Sequence, residues 1–235
     1  MRSVSKLSRF WLPAILLCSG SVPLAESRAD DVEVNTERNV AVPMRDGVIL
    51  RADVFRPAEG GPWPVLVMRT PYGKGGNYER FVKAGYIVVC QDARGRFASD
   101  GQWESFLRFE THDAVDGYDT VQWAAGLENS TGQVGTFGAS YNAFLQWRLA
   151  PLQPPSLIAM SAHSIPARYT DLEGPGTIRP GRRLNWWITS MAPEMRRHAG
   201  KGGVTNQAEM RQRWDEGESE EWLWFLPWSE LPREV

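Results

Sequence analysis

The chain has 235 residues, 42% of them hydrophobic, enough for one domain with its own core. Its formal net charge is −2 and no basic block interrupts it, so a nucleic-acid partner finds no electrostatic footprint. No HExxH and no paired cysteines occur, which argues against the commoner metal sites, and no organic cofactor is implied.

In chain order, the N-terminus reads as a secretory signal. Arg2, Lys6 and Arg9 form a positive start, Phe10 to Gly20 an apolar run, and small residues follow at Ala25, Ser27 and Ala29. The run is short for a bilayer span and Pro13 interrupts it. Bulky Leu17 before Cys18 argues against a lipid-anchored cysteine. The expectation is a signal peptide over 1–28 and a periplasmic or secreted mature chain with no stable membrane insertion after cleavage. That chain keeps Cys90 alone, so no intrachain disulfide staples it. Cys90 lies in the apolar run YIVVCQD, where packing is its expected use.

Asn39 to Met44 and Val48 to Pro57 flank Arg45-Asp46-Gly47, an Asp-Gly turn between β-rich runs and hence a hairpin signal. Pro64 to Thr70 is continuously apolar at first, as a strand covered on both faces should be. A loop follows, then Asn77 to Tyr86 reads as a short amphipathic helix with Phe81 and Val82 inward and Gly85 ending it. Tyr86 to Asp92 is a second buried strand. Thr111 to Ala125 has helical spacing, with Thr111 as the expected N-cap. Gly132 to Gly138 is a third strand, Tyr141 to Ala150 a helix stopped before Pro151, and Ser156 to Ala162 a fourth buried strand. Strands alternating with helices predict a mainly parallel sheet with helices on both faces. Beyond Pro166 the chain turns rich in Trp, Arg, Glu and Gly. Thr205 to Leu226 there reads as helical and broken at Gly217.

The run GTFGASYNA, Gly135 to Ala143, places Ser140 between a strand and a helix. A serine hydroxyl is a weak nucleophile unless it is held where a base can reach it. A tight strand-turn-helix bend does this, lifting the oxygen above the sheet's carboxyl edge and bringing helix N–H groups toward a developing oxyanion. Gly138, two residues before Ser140, suits such a bend, while Asn142 leaves the common G-x-S-x-G pattern incomplete. The plainer alternative is a serine capping a helix.

Four segments occur together and in order: MRTPYGK (68–74), QDARGRFASDG (91–101), DAVDGYDTVQW (113–123) and GASYNA (138–143). Together they resemble the N-terminal half of the cocaine esterase and X-prolyl dipeptidyl-peptidase group of α/β-hydrolases, which includes α-amino-acid ester hydrolases. FLPWSELP (225–232) resembles that group's helical cap. The resemblance implies an α/β fold: an incomplete α/β-hydrolase core over 31–165, a mainly parallel sheet with an N-terminal antiparallel hairpin, and a partial helical cap over 166–235. It implies Ser140 as nucleophile, with the Tyr141 backbone N–H and the Tyr72 phenol as oxyanion donors. The group's elbow reads G-x-S-Y-x-G, and here its last glycine is Ala143. Asp92 and Arg94 match a further segment of the group and are read as structural ion partners.

α/β-Hydrolases place their triad in the order serine, acid, histidine. Of the three histidines, His112 precedes Ser140, His163 follows it at the end of a strand, and His198 lies in a polar segment after Asp171, Glu173 and Glu194. No motif makes any of them the base. Two readings follow. One is a serine hydrolase acting on a small acyl ester, amide or peptide substrate, shortened before its triad acid and histidine and completed by a C-terminal half. The other is an inactive fragment that serves as a binding or subunit-forming module, pairing with another copy of itself.

Overall fold

The structure is a computed structural model and describes residues 32–103, 112–165 and 180–225, with side chains of the last stretch from 183 onward. The N-terminal segment 1–28, Thr111 and most of FLPWSELP lie outside the described residues.

Six strands form one sheet: β1 (Val34–Pro43), β2 (Ile49–Pro57), β3 (Trp63–Thr70), β4 (Ile87–Asp92), β5 (Ser130–Ala139) and β6 (Leu157–His163). Their spatial order is β1-β2-β4-β3-β5-β6. β1 and β2 pair antiparallel, as do β2 and β4, while β4, β3, β5 and β6 run parallel. The expected hairpin is present at Arg45-Asp46-Gly47. Gly47 N donates to Met44 O at 2.9 Å, and Met44 N to Val48 O at 2.8 Å.

The alternation of side chains along the strands builds two cores. On one face Val65 and Val67 of β3, Ile87 and Val89 of β4 and Val134 of β5 meet Val121 and Ala124 of α2 (Asp113–Ala125) and Leu149 of α3 (Tyr141–Leu149). On the other, Val88 and Cys90 of β4 pack with Phe55, Tyr78 and Val82, the last from α1 (Glu79–Lys83). Helices therefore cover both faces, which explains why β3 and β4 are apolar at nearly every position. Each fully buried Val or Leu contributes about 1.5–3 kcal/mol through removal from water. Cys90 is one of these packing residues: burial pushes its thiol pKa up, so it stays an inert thiol.

β6 departs from expectation. It was expected to be buried, but no residue of it is, and Ile158 is 61% exposed. Among the described residues β6 is the last strand in the sheet order and pairs only with β5. A continuous apolar run reports the capacity for burial, while position in the sheet decides whether the second side is covered.

After β6 the described chain is helical: α4 (Pro180–Trp186), a π-helical turn (Trp187–Met191), α5 (Ala192–His198), α6 (Gln207–Arg213), a second π-helical stretch (Trp214–Glu218) and α7 (Ser219–Trp224). Asn206 caps α6 by accepting from Ala208 N and Glu209 N. Gly217 breaks the helix at φ 111°, as its position in the sequence led one to expect. Leu184, Ile188, Met210 and Trp222 form this segment's own core. No helix among the described residues is long and apolar enough to cross a membrane.

Candidate active site

The sheet order brings Ser140 and Tyr72 together. β3 and β5 are neighbours, yet β3 leads through α1 to β4 on one side and β5 leads through α3 to β6 on the other. Adjacent strands whose exits diverge open a crevice beyond their carboxyl ends. Tyr72 leaves β3 and Ser140 leaves β5 at that point.

Ser140 is exposed and holds φ 56°, ψ −124°. A non-glycine residue there costs about 1–3 kcal/mol and persists only where neighbouring bonds dictate it. Those bonds are present. Ser140 N donates to His163 O at 3.0 Å, and Ser140 O accepts from Ala143 N and Phe144 N, both at 3.0 Å. Gly138, at φ +148°, allows the helix to close on the strand: a Cβ there would lie 2.6 Å from the Asn142 Cβ. Close approach is thus made at 138 against 142, and Ala143 is accommodated fully buried. Tyr141 opens α3, where helix N–H groups are directed out of the helix end. Its ring is buried against Trp103 and Phe144.

The Tyr72 ring is 37% exposed and meets the Tyr141 ring edge-on at 6.4 Å. Its phenol oxygen accepts from Trp186 Nε1 at 3.3 Å. Burial of the phenol end pushes its pKa above the ordinary tyrosine value, with Trp186 and Ser140 opposing. It is therefore a neutral O–H donor near neutral pH.

Two loops at the same edge support the pair. Asp92 accepts from Lys74 N at 2.6 Å and from Lys74 Nζ at 2.9 Å, tying the loop after β3 to the end of β4. Arg94 pairs with Asp116, Nη2 to Oδ1 at 2.6 Å, and with Asp46 at 2.8 Å. Asp92 and Arg94 are thus ion partners, but of other residues and not of each other. Arg96 is not singled out by the sequence, and Trp186 reads there only as one of several tryptophans beyond Pro166, for pocket lining or core packing. Arg96 is fully buried and donates to Pro71 O (2.9 Å), Met191 O (3.1 Å) and Ser190 O (3.5 Å). Burial pushes its pKa down to about 10, so it remains cationic at pH 7. Two arginines within three residues of a glycine-marked loop were the signal available.

His163 meets Ser140 through its backbone carbonyl. His198 sets Nε2 3.1 Å from Gly101 O. His112 stands at the N-cap position of α2. Among the described residues no imidazole is hydrogen-bonded to Ser140. A cavity of about 510 Å³ between the 95–103 loop and α5 is lined by Trp103, Trp187, Met195 and His198, but not by Ser140 or Tyr72. Among the described residues no group of three His, Cys, Asp or Glu is placed to hold a metal ion.

A largely parallel sheet whose strand-turn-helix bend lifts a serine above its carboxyl edge defines the α/β-hydrolase class of fold. Residues 46–232 match the model of the X-Pro dipeptidyl-peptidase (S15 family), and the chain belongs to that family. It is 41% identical over 129 residues to a cocaine esterase of Rhodococcus sp. (strain MB1 Bresler), covering 51% of this chain and 22% of that protein. Among solved structures it is similar to a CocE/NonD family hydrolase from Staphylococcus aureus (TM-score 0.57, 22% identity, 82% of this chain and 42% of that one). It is also similar to an α-amino acid ester hydrolase (TM-score 0.56, 21% identity, 88% and 40%). These two likenesses carry the fold. The chain spans less than half the length of each of these relatives.

Proposed function

We propose that this chain carries the nucleophile half of a serine hydrolase that cleaves small acyl esters, amides or peptides through an acyl-enzyme on Ser140. The observation that carries the reading is the strained, exposed Ser140 at the bend after β5, whose neighbour Tyr141 meets the Tyr72 ring edge-on. Ser140 Oγ attacks the acyl carbon as its proton passes to a general base. The carbonyl electron pair moves onto oxygen, which sits between the Tyr141 N–H and the Tyr72 O–H. The pair returns, the bond to the leaving group breaks, and that group takes the proton from the base. Water repeats the cycle, releasing the acid and free Ser140. The base and its carboxylate come from sequence that the longer relatives possess, since no described imidazole is hydrogen-bonded to Ser140. The basic, then apolar, then small-residue pattern of the first 28 residues supports export to the periplasm or exterior.

A fluorophosphonate probe tests this on the purified chain joined to the C-terminal sequence that supplies the base. Labelling should occur and vanish in Ser140→Ala. Folded protein that takes no label would favour the second reading, a subunit-forming module, for which the exposed β6 edge is the supporting feature.

A further inference from the structure

Trp186 has one polar hydrogen and no acceptor, so its contact with Tyr72 has a forced direction: the indole gives and the phenol oxygen receives. That occupies one acceptor site on Tyr72 and leaves its single proton to be donated elsewhere. Trp186 is also held in place relative to the Tyr72 loop. It is the last residue of α4, and the π-helical turn that follows ends at Ser190 and Met191. Arg96 grips both of those carbonyls and, through Nε, the carbonyl of Pro71, the residue before Tyr72. Three elements close a ring: the loop after β3, the loop after β4, and the turn after α4. π-Turns recur at functional sites because they re-aim a side chain by part of a turn.

We infer that Trp186 is a positioning residue that makes Tyr72 a one-way donor, fixing its proton toward the oxyanion, with Arg96 as the tie that keeps Trp186 and Tyr72 in register. This rests on the hydrolase reading above. It adds that the helical segment after β6 acts in the chemistry through Tyr72, and is more than a cover. Donation into the phenol oxygen also strengthens that phenol's own O–H as a donor, since linked hydrogen bonds polarise one another.

The test is a double-mutant cycle on the rate of fluorophosphonate labelling of the same chain joined to its C-terminal sequence. Tyr72→Phe should slow labelling by about 100- to 1,000-fold, as loss of an oxyanion donor does. Trp186→Phe should slow it by about three- to tenfold, the effect of one neutral hydrogen bond. In the Tyr72→Phe background, Trp186→Phe should change the rate by less than about twofold, because its target is gone. Placing 3-benzothienylalanine at position 186 replaces the indole N–H with sulfur at nearly the same shape. It should reproduce the Trp186→Phe rate, and it reads the bond even if Phe disturbs folding. An unchanged rate with the sulfur analogue, or equal slowing in both backgrounds, overturns the inference and leaves the hydrolase reading intact. A wild-type protein that takes no label removes both.

Discussion

Two polar clusters sit at the carboxyl edge of the same sheet and treat their side chains in opposite ways. Beneath α2, Arg69 donates to Gln91 Oε1 at 2.9 Å and to Asp113 O at 2.7 Å, Thr120 donates to Gln91, and Arg94 grips Asp116. Asp116 is 1% exposed and Gln91 and Thr120 are fully buried. A few residues along the edge, Ser140 and Tyr72 keep their hydroxyls toward the crevice, and Ser140 does so in a strained backbone. The first cluster turns charges on one another and locks α2 to the strands, although Arg69 Nη2 and Gln91 Nε2 are buried there without a hydrogen-bond partner. The second holds its groups half-satisfied, which costs stability and leaves them able to act.

The largest effect that sharpens this contrast is at the locked cluster. Asp116→Ala leaves Arg94 with a buried charge deprived of its main partner, and should destabilise the fold by about 3–5 kcal/mol in urea unfolding. A loss under 1 kcal/mol would mean that the cluster is not structural. At the open site the sign reverses. Ser140→Gly relieves the positive φ and should stabilise by about 1 kcal/mol, after the flexibility cost of glycine, while abolishing labelling. A destabilised Ser140→Gly protein would show that the bend is not strained.

The smallest effect lies at the rim of the locked cluster, where Asp46 faces Arg94. The Arg94 hydrogen bond, opposed next by burial and then aided by the bond from Val48 N, holds the Asp46 carboxyl below its ordinary range. A depressed carboxylate adds stability that is present above its unfolded-state pKa, about 4, and lost as pH falls through its lower folded value. Asp46→Asn should therefore flatten part of the decline in Tm below about pH 4 and leave its slope above pH 6 unchanged. An unaltered acid slope would remove Asp46 from the network.

The strand-turn-helix bend was legible because its signals are local: Gly138 two residues before Ser140, an apolar run before and helical spacing after. The pairing of that serine with Tyr72 came from resemblance, since nothing in the spacing joins two loops so far apart. The exposure of β6 was misread, because an apolar run looks the same in the middle of a sheet as at its edge. Arg96 and the bond from Trp186 to Tyr72 escaped notice for a different reason. Each works through backbone carbonyls or a single ring hydrogen, and such contacts leave no pattern of residue types. The partners of Arg94 were likewise hidden, since charges at 46, 92 and 116 are equivalent in a sequence and only one arrangement of α2 over β4 separates them.

By itself the sequence determined the parallel sheet, the hairpin before it, the helical stretch after it and the serine at the bend. These follow from periodicity and from backbone freedom, which act between near neighbours in the chain. Tertiary structure alone decided that β3 and β5 lie side by side with diverging exits, that Trp186 donates to Tyr72, and that Arg96 ties their two segments together. Those contacts join residues remote in the chain, and they form only once both faces of the sheet are covered and the loops at its edge have nowhere else to go.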